Sequence, residues 1–336
     1  PGGVGIVVRT LGNLTIATGE PMGVVVVECP DADWRERALS LLSHKGPEWQ
    51  YHMARALDGA TDALETRFHL GIVEGRPVAN VMTVERHGIG IVGHVYTTPE
   101  RRRQGICKAV MSRQLADFRA RGGYVLLLGT GFESTAYWIY HGFGFRSLRG
   151  GFMRYATPGN ERFEERWFAA RSARVVEPRW EHWPLVALFG SIATGEHLRV
   201  AAWRVLGIEN LEWGYCRFRR DMEEPGGPQG SLLQTEDGAV VGLACRHALQ
   251  IGPDPHPWPE VWLADLDVHP SFADDGPRLL AALPRLEEGR EIALADPASH
   301  TASCLEGAGF RRAGRLTDFV RTARGPSDAV LYERGG

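Results

Sequence analysis

The sequence predicts an α/β fold, with α and β elements on a mixed sheet, built twice over; three observations carry that expectation. Strand-like and helix-like runs alternate along the chain, the pattern of a sheet flanked by helices. The 336 residues, 43% hydrophobic and 24% charged, suffice for two buried cores. Two short segments recur in the same order: Thr97-Thr98-Pro99 answers Val268-His269-Pro270, and Gly142-Phe143-Gly144-Phe145 answers Gly307-Ala308-Gly309-Phe310. Pro99 and Gly144 are 45 residues apart and Pro270 and Gly309 only 39, so the copies of this internal duplication differ in loop length.

The elements follow in order. After a glycine-rich lead-in, the β-branched run Val24–Glu28 is a strand, closed by Cys29-Pro30-Asp31 and followed by a helical pattern through Trp34, Ala38, Leu41 and Leu42. Phe68–Glu74 and Pro77–Glu85 are strands of a hairpin, divided by a turn containing Gly75 and Pro77. Ile89–Thr97 is the next strand. Val110, Met111, Leu115 and Phe118 then recur at helical spacing until Arg121-Gly122-Gly123 stops the helix. Tyr124–Leu128 suits a central strand, and Ser134–His141 a short helix ended by Gly142.

From Thr157 to about Arg220 the pattern is irregular and rich in tryptophan, which places a connecting helix and a domain boundary there. Beyond it, Val240–Leu249 and Val261–Val268 are strands, Arg278–Leu286 a helix, Glu291–Ala295 a strand and Ser299–Glu306 a helix. The expected division is 1–160, a linker at 161–175, and 176–336.

Composition excludes several classes. The net charge is -3, from 38 basic and 41 acidic residues, so bulk attraction to nucleic acid or an anionic membrane is not expected. Lys45 and Lys108 are the only lysines, which reads as a GC-rich coding bias toward arginine. Five widely spaced cysteines without a C-x-x-C pair argue against a disulfide framework or a zinc site and for a cytoplasmic setting. Val24–Val27 ends at Glu28, far short of a membrane span, and Pro1–Ile6 lacks a basic signal-peptide start. No metal is expected.

Chemistry concentrates in Thr97-Thr98-Pro99-Glu100-Arg101-Arg102-Arg103-Gln104-Gly105-Ile106-Cys107-Lys108, where a strand stops and a helix begins near Gly105. First-turn amides lack intrahelical partners and carry the positive end of the helix dipole, so they can hold a phosphate or pyrophosphate. Gly105 permits close backbone approach, and Arg102, Arg103 and Lys108 add full charges. A solvated basic turn or a nucleic-acid patch would look the same in isolation.

The segment resembles the acyl-CoA-binding motif of the GCN5-related N-acetyltransferase (GNAT) superfamily, Arg/Gln-x-x-Gly-x-Gly/Ala after a strand. It reads Arg102-Arg103-Gln104-Gly105-Ile106-Cys107, with Cys107 at the last small position. The family's fourth helix, commonly Asn-x-x-Ala-x-x-Leu-Tyr before Gly-Phe, is matched by Glu133-Ser134-Thr135-Ala136-Tyr137-Trp138-Ile139-Tyr140 before Gly144-Phe145. The resemblance implies that the main chain of Val95, Tyr96 and Thr97 binds the pantetheine arm and that the amides from Arg103 to Lys108 hold the pyrophosphate. It puts Glu133 where an asparagine often touches the cofactor and makes Tyr140 the acid that protonates the departing thiolate. A phenol of reference pKa about 10 stays protonated at neutral pH, which suits that role. For the general base, the fifth-strand position that carries a glutamate in some members is Leu128. Glu85, His87 and His94 are candidates by location only, and none is assigned.

The second copy reads as degenerate. Gly276 stands opposite Gly105, but Asp274 and Asp275 precede it and Pro277 removes an amide; Leu305 stands opposite Tyr140. Tandem layouts occur in this family, including the mycothiol synthases, whose carboxy-terminal copy is the active one. The implied function is acetyl transfer from acetyl-CoA, or another acyl-CoA, to the primary amine of a small molecule such as an antibiotic or other natural product. The competing reading is a CoA-binding or ligand-sensing pseudoenzyme that regulates a partner. The expected partner is the small-molecule amine, with no nucleic acid and no membrane, in a monomer or homodimer.

Overall fold

The computed structural model describes residues 8–249, 261–286, 289–322 and 325–335. The Pro1–Ile6 stretch discussed above lies outside them. Two compact units emerge, one of Pro1–Phe163 with Arg179–Ala187, the other of Glu164–Pro178 with Leu188–Gly336. The expected linker therefore contains structure of its own, and the chain passes between units three times.

The first unit runs β1 (Val8–Thr15), β2 (Pro21–Glu28), α1 (Arg35–Leu41), α2 (Pro47–Leu57), β3 (Glu65–Val73), β4 (Arg76–Arg86), β5 (Ile89–Thr97), α3 (Ile106–Ala120), β6 (Val125–Gly129), α4 (Thr135–Gly142), β7 (Arg146–Arg149) and β8 (Phe152–Ala156). Its sheet has the order β1-β2-β3-β4-β5-β6-β8-β7. All its pairings are antiparallel except β5 with β6, which α3 joins as a crossover. One core packs α3 and α4 on the sheet through residues including Met22, Val92, Met111, Phe118, Leu126 and Phe145.

Several sequence expectations need correction. The glycine-rich lead-in is in part β1, an edge strand whose glycine at position 12 sits at a register shift against β2. Helix α2 was not anticipated, although Pro47 occupies its first turn and Trp49, His52, Met53, Ala56 and Leu57 follow a helical stripe. The β7–β8 hairpin was missed because both strands are short.

The next stretch is not irregular. It holds α5 (Phe163–Trp167), β9 (Ala173–Val176), α6 (Trp183–Gly190), β10 (Leu198–Val200), β11 (Val205–Leu206) and α7 (Glu212–Asp221). The second unit continues with β12 (Gln229–Thr235), β13 (Val240–Ala248), β14 (Val261–Val268), α8 (Gly276–Ala281), β15 (Arg290–Ala295), α9 (His300–Gly307), β16 (Arg311–Thr322) and β17 (Gly325–Gly335). Helix α8 is shorter than expected and begins earlier, with Gly276 and Pro277 in its first turn.

The second sheet has the order β16-β17-β15-β14-β13-β12-β9. Read from β9, it repeats the first sheet from β2 to β7, including a single parallel pair, β14 with β15. Among the described residues no helix is long and apolar enough to cross a membrane.

Candidate functional site

The parallel pair of the first unit is brief. Only Ile89, Gly90 and Ile91 of β5 face Val125, Leu126 and Leu127 of β6. Beyond Ile91 the strands splay, while β4 holds the other edge of β5 by pairing Asn80 with Tyr96 and Ala79 with Thr97. Val95, Tyr96 and Thr97 thus line an opening where backbone groups have no neighbouring strand on the β6 side, and an extended polar chain can bond there as a strand would.

At the end of β5 the chain makes a turn at Pro99–Arg101 and enters α3 through a left-handed backbone at Arg103 (φ +62) and Gly105 (φ +80). A Cβ at Gly105 would meet nothing within 4 Å, so that backbone faces open space. The first-turn amides of the 15-residue α3 are presented to the same space, without a side-chain cap.

The basic residues sort by partner. Arg101 pairs with Glu20 at 2.6 Å, and the Arg102 Nε donates to the Thr97 carbonyl at 3.2 Å. Arg103 and Lys108 are exposed. The Gln104 carbonyl accepts from Ala17 N at 3.3 Å, which ties the turn to the β1–β2 connection. Ile106 is a core residue and Cys107 is half-buried; burial raises its thiol pKa, and nearby Lys108 opposes the rise. Geometry, open space and charge at this turn all suit a pyrophosphate.

Tyr140 projects from α4 into the same region. It is 7% exposed, its ring lies 6.1 Å from that of Phe145, and burial, aided by Cys107, lifts its pKa above the usual phenol range. Glu133 is exposed in a left-handed turn (φ +56) just before α4, and Ser134 caps that helix by accepting from Tyr137 N at 3.2 Å. Between α3 and α4 lies a cavity of about 460 Å³ lined by Lys108, Thr135, Trp138, Ile139, Gly142 and Phe143. Trp138 is 55% exposed there. The sequence placed Trp138 only within the fourth-helix motif; its indole on α4 shares the cavity lining with Lys108 of α3.

The base candidates separate by register. Glu85 pairs opposite Gly90, whereas Ala79 pairs opposite Thr97, so six residues of β4, about 20 Å of strand, lie between Glu85 and the splayed end. Its carboxylate is held by Arg121 at 2.5 and 2.9 Å, Arg67 at 3.3 Å and Thr83 at 2.6 Å. His87 sits in the β4–β5 turn at the same far end. Only His94 adjoins the opening.

In the second unit the corresponding opening is filled. Strands β14 and β15 pair only over Val261–Ala264 and Arg290–Ala293, and the segment containing β10 bonds to residues from both beyond that point. His197 N and Leu198 N donate to Asp296, just past β15, and Ala201 N and Ala202 N donate to Asp265 of β14 at 2.7 and 3.0 Å. Arg199 pairs with Asp267 of β14 at 2.8 Å. Gly276 also differs from Gly105: a Cβ there would lie 2.5 Å from the Cys304 Sγ of α9. A larger cavity of about 660 Å³ in this unit, lined by residues such as Arg204, Arg217 and His247, contains none of the motif positions. Among the described residues no group of His, Cys, Asp and Glu is arranged to hold a metal.

Residues 80–148 match the family model described as an acetyltransferase (GNAT) domain. No curated protein matches the chain significantly. Among solved structures, an N-acetyltransferase from Staphylococcus aureus Mu50 is 13% identical with a TM-score of 0.38, covering 49% of this chain and 99% of its own. A GNAT superfamily phosphinothricin acetyltransferase from Sinorhizobium meliloti, in complex with acetyl-CoA, is 16% identical with a TM-score of 0.40, covering 49% and 89%. An acetyltransferase of the GNAT family from Streptococcus pneumoniae is 13% identical with a TM-score of 0.37, covering 49% and 100%. The stretch from β4 to β7 is thus the part of the chain that matches a GNAT acetyltransferase domain, and the two mixed sheets of repeated order fit a tandem arrangement of GNAT-like domains.

Proposed function

We propose, for a chain whose residues 80–148 match a GNAT acetyltransferase domain, that its first unit transfers an acyl group, in the simplest case acetyl, from acyl-CoA to the primary amine of a small molecule. The observation that carries this reading is the splay of β5 from β6 directly beside the open turn at Gly105. Pantetheine would add to the free edge of Val95, Tyr96 and Thr97. The pyrophosphate would rest on the amides from Arg103 to Lys108, with Arg102, Arg103 and Lys108 supplying charge. The cavity beside Lys108 and Trp138 has room for more of the nucleotide.

In the reaction the amine nitrogen attacks the thioester carbonyl, the new C–N bond forms, the C–S bond breaks, and the sulfur leaves as thiolate. Backbone amides polarise the carbonyl. Tyr140 gives its phenolic proton to the thiolate; the depth that raises its pKa keeps it protonated through the physiological range.

The second unit is proposed as a non-catalytic copy, its opening filled by the β10 segment and its helix start closed by Cys304. A small-molecule amine is the proposed partner.

Mass spectrometry of the full chain incubated with acetyl-CoA and a pooled amine library tests the assignment. Free CoA and one acylated amine, in equal amounts, are expected. Tyr140→Phe should slow single-turnover acyl transfer on the order of 100-fold, the usual scale of acid catalysis. Acetyl-CoA left intact with every amine, or chemistry unchanged in the variant, would count against it.

A further inference from the structure

The face of the first sheet opposite α3 and α4 carries a cluster of buried polar atoms that meet no partner. Strand β5 bulges where Met82 pairs Gly93 and Asn80 pairs Tyr96, so His94 and Val95 together oppose Val81. His94 takes a left-handed backbone there (φ +50), a conformation that costs a non-glycine residue free energy and is retained where surroundings demand it. Val81, Val92 and Val95 pack toward α3 and α4, which leaves His94 and Asn80 on the other face.

On that face, His94 Nε2, Asn80 Oδ1 and both ring nitrogens of His52 are buried without a hydrogen bond. Exposure is 9% for His94 and zero for Asn80 and His52. Each such orphan costs about 1–3 kcal/mol, so a cluster of them beside a reaction site calls for a visitor. Aromatic rings enclose it. Trp49 stands edge-on to His94 at 5.1 Å and stacks on Trp183 at 6.2 Å, and Trp183 meets His52 at 4.7 Å. Trp183 is sealed while Trp49 is only half-buried, so Trp49 is the movable wall. Outside it, His44 lies on Tyr96 at 4.1 Å.

Charge narrows what could enter. Burial pushes both His52 and His94 down to about 3, so both rings are neutral in the working range. The full charges that act on the two outer rings are cationic, Lys45 on both His44 and His94 and Arg102 on His44. A site of neutral acceptors and aromatic walls, rimmed by cations, favours an amine in its uncharged, nucleophilic form and offers nothing to a polycation.

We propose that the acceptor is a single primary amine on an aromatic or apolar body, its nitrogen received by His94 Nε2 and Asn80 Oδ1 and its body laid against Trp49 and Tyr96. Trp49 swings aside as it enters. This rests on the acyl-transfer reading, since His94 immediately precedes the strand end where the thioester would lie. On attack, the proton lost by the nitrogen passes to His94, Tyr140 supplies the proton that the sulfur takes, and solvent restores both residues.

The test uses the full chain labelled with ¹⁵N in histidine, saturated with CoA and titrated with benzylamine, 2-phenylethylamine, spermidine and kanamycin. The aralkylamines should move the ring resonances of His94 and His52, identified by their loss in His94→Gln and His52→Gln, while the polycations leave them unmoved. Acetyl-CoA consumption should follow the same order. His94→Gln should lower kcat/KM for the better aralkylamine on the order of 100-fold, with the Kd for acetyl-CoA within about twofold. Histidine resonances indifferent to both aralkylamines, or polycations turned over in preference, overturn the proposal. Absence of acetyl-CoA binding to the unmodified chain sinks the acyl-transfer reading instead.

Discussion

The guanidinium of Arg199 donates to the carboxylate of Asp267 through Nε at 2.8 Å, and the two side chains are 0% and 1% exposed. The other guanidinium nitrogens donate to the carbonyls of Phe189, Gly190, Ile192 and Gly207, so the whole group is satisfied inside the second unit. Removing one member strands the other. Arg199→Met should destabilise this unit by about 3–5 kcal/mol, read from urea unfolding, because Asp267 is left buried without its partner. A variant as stable as the parent would show that the pair contributes nothing.

Asp265 lies two residues earlier on the same strand. Burial lifts it to about 7, with the amides of Ala202 and Ala201 opposing the rise and Asp267 adding to it. Its folded pKa exceeds its unfolded one, so the native state holds the extra proton and stability falls as pH rises from about 4 to about 7. Thermal melts of Asp265→Asn should show a flatter pH dependence across that window, and an unchanged slope would point to other groups.

The opposite sign is expected at Asp117 in the first unit. Burial alone would raise its pKa, but hydrogen bonds from His69, Arg9 and Arg121 overcome that and hold it well below the carboxylate range. Its contribution is present above about 3.9, the unfolded value, and disappears as the pH falls through the folded one. Asp117→Asn should therefore lower stability at pH 7 and lose part of that deficit near pH 3, as followed by circular dichroism in urea.

Two glycine substitutions separate binding from folding. Gly105→Ala places its Cβ in open space, at the strain of a positive φ and where a phosphate would press, so calorimetry should show acetyl-CoA bound about tenfold or more weakly with a modest loss of stability. Gly276→Ala drives its Cβ to 2.5 Å from Cys304 and should destabilise the second unit while leaving acetyl-CoA affinity intact. Equal effects on affinity would contradict the assignment of the cofactor to the first unit alone.

Much of the fold was legible where periodicity is strong. Ile89–Thr97 is β5 to the residue, and Val110, Met111, Leu115 and Phe118 face the core from α3 as their spacing implied. The misses are elements whose stability comes from tertiary partners. Strands β7 and β10 have four and three residues, too few for a period, and β1 is an edge strand broken by Gly12. For the candidate site, the motif pointed to the turn at Gly105 and to Tyr140, but no local pattern could announce that Asn80, His52 and His94 meet under Trp49. Those residues come from α2, β4 and β5, and register alone brings them together.

The alternation of chain segments between the units has a practical consequence. A cut at residue 163 or 175, where a boundary would ordinarily be drawn, deprives the first unit of Trp180 and Trp183. It would bare the ring of His52 and free Asp62, whose carboxylate accepts from Trp180 N at 2.8 Å. A cut at 187 carries away β9, the edge partner of β12, from the other unit. No single scission yields two whole halves, so a truncation meant to isolate either unit removes part of it or leaves it carrying a piece of the other.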